Sequence, residues 1–185
     1  MRAFAVGLSL LACAWSASAQ AKTYRVEPGP TAPAQADAAF LAAPAKDQIQ
    51  FARGRFELTS TLASAAPQVT VRGAGADRTI LSFTGQTAPG DCVTLSGGQE
   101  VLREFAVENC KGDAIKAKGG DQVHLLALRA EWTGAKPPKA SGVAASAAKN
   151  VLIENVIVRG APYAGIRVSD GANAVMLMCI STSDD

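Results

Sequence analysis

Two aspartates stand 22 residues apart in one repeated context, Gly90-Asp91-Cys92-Val93 and Gly112-Asp113-Ala114-Ile115. If the fold stacks these segments, the two carboxylates stack with them and could hold Ca²⁺. Lys116 and Arg167 fall on the matching strands and could act as base or electrophile. Such a set suits abstraction of a proton α to a carboxylate, which needs a base of near-neutral pKa and a cation to stabilise the enolate. Asp113, Lys116 and Arg167 are therefore the candidate catalytic residues. The plainer reading is a turn, in which Gly-Asp enters each strand and Asp accepts local backbone hydrogen bonds. Recurrence at a fixed interval favours the turn, so neither a catalytic role nor a metal site is assigned on this motif.

Other reactive groups are less organised. Hydrolysis of a glycosidic bond needs two carboxylates about 5–10 Å apart, and Glu104, Glu108, Glu131 and Glu154 offer no privileged pair. His124 follows Val123 on an alternating strand and so points outward as a surface residue. Trp132 could stack a sugar ring while Lys136 and Lys139 attract an acidic glycan. These three are the candidate substrate-binding residues, although Trp132 could equally fold back over the chain. P-loop, dinucleotide-binding and nucleophile-elbow motifs are missing from the sequence.

The elements that would position these groups are short strands. Gln48 to Ala52, Phe56 to Leu58, Val69 to Val71 and Ile80 to Phe83 alternate or run apolar, with Gly-rich turns between them. No helical period of useful length separates them, which excludes a doubly wound fold. Ala34 to Ala43 is the exception, a short helix stopped by Pro44 that could cover the first apolar layer of a stack. Residues Ala21 to Pro33 read as an extended lead-in.

The repeat fixes the architecture. Gly97-Gly98 returns at Gly119-Gly120 and Val101 at Val123, each after 22 residues. Phe105 answers Leu128 and Val107 answers Ala130 after 23. The next coil is longer, Ile115 to Val143 taking 28, with the additional residues at Thr133 to Ala140 around Pro137-Pro138. Val143 to Ile166 returns to 23. Equivalent positions one coil apart stack about 4.8 Å from each other. Three inward ladders follow: Val93, Ile115, Val143, Ile166; Phe105, Leu128, Val156; and Val101, Val123, Val151. Outward, Thr94, Lys116, Ala144 and Arg167 line up, as do Ser96, Lys118, Ser146 and Ser169. The expected fold is all-β, a right-handed parallel β-helix of about five coils with a short N-terminal capping helix. A propeller blade, at about 40 residues, fits this period less well.

Composition agrees. The 185 residues are 48% hydrophobic and 18% charged, enough to bury a core. A net charge of +2 and 5% aromatic residues give no reason to expect nucleic acid. Arg2, the apolar run Phe4 to Trp15 and Ala17-Ser18-Ala19 follow the order of a signal peptide. Residues 1–19 are therefore expected to be the signal, 20–46 the lead-in and capping helix, and 47–185 the β-helix. Leu10-Leu11-Ala12-Cys13 offers lipidation at Cys13 as the lesser alternative. The expected location is periplasmic or extracellular, with no transmembrane segment. Cys92, Cys110 and Cys179 then remain, permitting one disulfide and leaving one thiol, the pairing open. Cys92 is read first as a small buried hydrophobe.

The run Phe51-Ala52-Arg53-Gly54-Arg55-Phe56-Glu57-Leu58 resembles the segment that opens many pectate-lyase-like β-helices. Val71-Arg72-Gly73-Ala74-Gly75, Lys111-Gly112-Asp113-Ala114-Ile115 and Asn150-Val151-Leu152-Ile153-Glu154-Asn155 resemble exported bacterial parallel β-helix repeat proteins. The likeness spans about Ala34 to Asn173. It rests on turn and ladder residues, so it implies the fold and no settled reaction. The apolar run Ala174 to Ile180 departs from the pattern and reads as the end of a truncated stack, or as an open end that pairs with further coils or another exported protein. The leading expectation is an exported repeat protein whose stacked faces bind glycan or protein. The alternative is a polysaccharide lyase, glycoside hydrolase or epimerase acting on an acidic polysaccharide, with Ca²⁺ as the cofactor a lyase would use.

Overall fold

The computed structural model describes residues 20–182. The chain winds through three parallel sheets in turn, of seven, six and five strands, making a solenoid of about six turns. That is about one turn more than the repeat alone exposes. The strand Thr23–Val26, in the expected lead-in, opens the first sheet by pairing in parallel with Gln48–Phe51. The coil is right-handed, the sense in which twisted parallel strands connect. The signal-peptide residues and Cys13 lie outside the described residues. Among the described residues no helix is long and apolar enough to cross a membrane.

One helix, Ala32–Ala42, stands where the first turn would place strands of the second and third sheets. Pro33 suits its first turn, where a backbone N–H has no intrahelical partner to lose. Ala32, Ala36, Ala39 and Phe40 are buried, and the helix packs against Thr23–Val26, Gly54–Glu57 and Leu62–Ser64. Beneath it the rings of Phe51 and Phe56 meet edge to face, 5.1 Å between centroids. The core is a column of inward side chains, each large aliphatic or aromatic one contributing roughly 1.5–3 kcal/mol.

Corners repeat as faithfully as strands. Glu104, Ala127, Asn155 and Met178 all take positive φ where the chain passes from the first sheet to the second. Gln68, Gln99, Gln122 and Asn150 do so between the third and the first. At the first of these corners a single left-handed residue turns the chain without a longer loop, whereas at the second further left-handed residues such as Gly98, Gly119, Gly120 and Ala147 take part. The Gln68 amide donates to Gln99 Oε1 at 2.7 Å and that of Gln99 to Gln122 Oε1 at 3.1 Å, so the corner is tied from coil to coil.

The ladders Val93–Ile115–Val143–Ile166 and Phe105–Leu128–Val156 follow the strand register. The expected ladder Val101–Val123–Val151 holds only for Val123 and Val151, both buried and in register. Val101 pairs with His124, 23 residues on, and both face outward. The strands of this sheet turn a further column inward, Ile49, Val71, Leu102, Leu125 and Ile153, all buried. Past Asn173, where the sequence departs from the pattern, the coil continues. Ala174–Leu177 and Ile180–Thr182 extend the first and second sheets in register, so the apolar run is strand.

The register shift uncovers Glu100. It stands one residue before Val101, between Val69 and Val123, both buried, and its own exposure is 0%. Its Oε2 accepts hydrogen bonds from the Gly97 and Gly98 amides at 2.9 and 3.3 Å. The Ser64 hydroxyl is close by, but Oε1 has no well-formed hydrogen bond. Burial raises the Glu100 pKa above the ordinary carboxylate value, against the lowering effect of these donors. A carboxyl whose folded pKa is raised stabilises the fold most when protonated. Stability is therefore greatest below the unfolded value near 4.5 and falls as pH rises through the folded one. Glu100→Gln should remove this loss. Urea titrations from pH 4 to 8 should show the variant gaining on the wild type with pH, by roughly 1–3 kcal/mol. A difference independent of pH would count against a buried proton here.

Candidate functional site

The third sheet carries the strands Leu62–Ser64, Val93–Leu95, Ile115–Lys118, Ser141–Ser146 and Ala164–Ser169. Val93, Ile115 and Val143 point inward. The outward row is Ala63, Thr94, Lys116, Ala144 and Arg167, in strict parallel register. The turns Gly90-Asp91 and Gly112-Asp113 stack at the entry to this face. A Cβ on Gly112 would meet the Gly90 carbonyl at 2.7 Å, so the recurring glycine answers to backbone stacked on backbone.

Each aspartate is divided between two tasks. Asp91 Oδ1 accepts from the Asp113 amide at 2.9 Å, and Asp113 Oδ1 from the Ser141 amide at 2.8 Å. One oxygen of each carboxylate therefore secures the next coil. The other oxygens face outward. Asp91 Oδ2 accepts from Lys116 Nζ at 2.9 Å, and Asp113 Oδ2 from Arg167 at 3.0 Å, with Lys116 Nζ 3.7 Å away. Between Lys116 and Arg167 the row holds only the methyl of Ala144, fully buried. That small residue lets Arg167 reach Asp113, two coils back. The structure thus brings Asp91, Asp113, Lys116 and Arg167 together as alternating charges.

They line a basin of about 390 Å³ with Gly112, Lys139 and Tyr163. It holds three cations against two carboxylates. The pKa of Lys116 is raised, first by its hydrogen bond to Asp91, so it stays protonated and suits the role of cation rather than base. The Arg167 guanidinium offers donors and no acceptor. Ca²⁺ takes six to eight oxygens, and the two aspartates do not fit it. Their oxygens are engaged by amides and cations, and no group of three or more His, Cys, Asp or Glu gathers among the described residues.

Trp132 is the main correction. It is 2% exposed and its Nε1 donates to the Cys110 carbonyl at 2.8 Å, so it folds back over the coil and offers no face to a sugar. Cys92 is also more than a small hydrophobe, being joined to Cys110, while Cys179 is free. A disulfide fits an oxidising compartment. His124 stands half-buried on the outer face of the first sheet between Val101 and Leu152. Glu108 and Glu131 stack in register but bind Arg129, and Glu108 binds Arg55 at 2.7 Å as well. Glu104 pairs with Arg72 and Arg103. Tyr163, 64% exposed, is the basin residue that the sequence did not single out. Its only signal was its place in the turn that leads into Ala164–Ser169, on the strand row already counted as outward.

No protein-family model and no curated protein matches the chain. Among solved structures, the crystal structure of an alginate lyase from Paenibacillus sp. str. FPU-7 matches with a TM-score of 0.56. The match covers 86% of this chain and 76% of that one at 14% identity, a likeness of fold.

Proposed function

We propose that the chain is an exported protein that binds an acidic polysaccharide in the basin between Asp91 and Arg167. The observation that carries this reading is the row of charges held in place by two backbone-anchored aspartates. Lys116 and Arg167 are oriented by those carboxylates before any ligand arrives, which reduces the ordering cost of binding. Lys139 adds a further cation from the insertion, and the exposed ring of Tyr163 gives a flat apolar surface against which a sugar can rest. A carboxylate of a uronic acid unit would meet the outer edge of the Arg167 guanidinium and Lys139, in charge-assisted hydrogen bonds.

Binding of oligomers of alginate or polygalacturonate, followed by calorimetry, tests this. Arg167→Ala should weaken it about tenfold, and raising the salt should weaken the wild type further. Equal affinity for an uncharged glucan oligomer would overturn the reading. Unfolding curves of the variant, recorded alongside, separate lost binding from lost fold.

Elimination is the second reading, favoured by a phenol sharing the basin with three cations and by the likeness to an alginate lyase. The carbon α to the uronate carboxylate would lose its proton, the glycosidic C–O bond would break, and a C=C bond would form. The cations would stabilise the intermediate charge, and the proton taken from the α carbon would pass by way of the Tyr163 oxygen to the departing glycosidic oxygen. Hydrolysis is less well served, because both basin carboxylates are engaged. Release of unsaturated products from the same polymers, detected by ultraviolet absorbance and lost in Tyr163→Phe, would establish elimination over binding alone.

A further inference from the structure

The longer coil departs from the stack between Trp132 and Ser141, and both points of departure are fixed. Trp132 is buried and bonded to Cys110, which is joined to Cys92 beside Asp91. Asn109 Oδ1 accepts from the amides of Thr133 and Gly134 at 2.9 and 3.3 Å. At the far end Ser141 hangs from Asp113. Between these anchors Pro137-Pro138 stiffens the path by fixing φ. The insertion is therefore a set piece of structure at the margin of the basin.

A second basin of about 480 Å³ is lined by the insertion's residues 135–139 together with Pro89 and Lys111, its apolar part being Pro89, Ala135, Pro137 and Pro138 and its charged part lysines. Lys139 lines both basins. The second has Lys111 and Lys139 and no carboxylate among its lining residues, whereas each acid in the first is matched to a cation. Apolar ring faces together with cations are complementary to a sugar that presents C–H groups on one side and a carboxylate at its rim. Both volumes fall in the range of small-ligand sites.

We propose that the two basins are neighbouring subsites of one groove, joined at Lys139, and that the ligand is a polyuronate at least two acidic units long. One unit sets its carboxylate between Arg167 and Lys139. The next lies against these prolines with its carboxylate toward Lys111. This inference rests on the acidic-polysaccharide reading and adds to it a length requirement and a direction, from the third sheet toward the insertion.

The test is a length series of oligouronates, from the monosaccharide to the hexasaccharide, against the full chain. Linking two units within one groove should give the wild type an affinity step of about tenfold or more when the second basin is reached. Lys111→Ala and Ala135→Asp, the latter at an exposed position, should shrink the ratio of long to short affinities toward one. The same ratio in wild type and both variants, with binding still sensitive to Arg167→Ala, overturns the second subsite and leaves the first standing. An equal step for neutral oligosaccharides overturns the charge argument. Absence of binding at every length sinks the acidic-polysaccharide reading itself, and this inference with it.

Discussion

Trp132→Ala is expected to lower the free energy of unfolding by roughly 3–5 kcal/mol, the largest effect of any single substitution at the site. The indole is 2% exposed in the column at the root of the insertion, so its removal leaves a cavity rather than a solvated gap. The Cys110 carbonyl also loses its donor, which accounts for about 1 kcal/mol of the total. Trp132→Phe separates the two contributions, since it keeps most of the volume and loses only the hydrogen bond. Urea unfolding of both variants checks the ranking. If Trp132→Ala unfolds within about 0.5 kcal/mol of the wild type, as surface changes do, the indole is not an anchor.

Asp113→Asn should separate stability from affinity. Asp113 is 4% exposed, holds the Ser141 amide, and faces both Arg167 and Lys116. The amide side chain can still accept from Ser141, but two cations then confront each other without the charge between them. A loss of roughly 2–3 kcal/mol is expected, rising in Asp113→Ala, which also strands the Ser141 N–H. Affinity for an acidic oligosaccharide should move the other way, because the negative charge removed from beside the ligand's carboxylate outweighs the orientation that Asp113 gave Arg167, while Asp91 still holds Lys116. Were the aspartate instead a cation ligand for the polymer, both quantities would fall together. Calorimetry and urea unfolding on one preparation tell these apart.

The fold was legible because a parallel stack repeats its constraints. Gly112 returns after Gly90 because backbone passes directly over backbone there, and the apolar ladders of the second and third sheets return because each inward site has the same neighbours above and below. Legibility failed where one coil substitutes a different solution. Glu100 occupies a place held by valines in the adjacent coils, and a glutamate near a turn reads as solvated. That displaced Val101 into the wrong ladder by one residue, enough to reverse its face. Trp132 was open between a sugar-stacking face and a fold back over the coil, because it borders an insertion and its partner, Cys110, lies 22 residues back. The disulfide was undecidable among three cysteines. Tyr163 joins the basin across coils, a closeness that no local pattern announces.

The fixed roots of the insertion carry a consequence for descent and design. The chain leaves the stack at Trp132 and rejoins it at Ser141, and both ends are held by residues outside the loop itself. What lies between can lengthen, shorten or exchange its side chains while the strands keep their register. The segment can thus diverge without eroding the scaffold, and a loop taken from a different β-helix could be grafted between the same two posts.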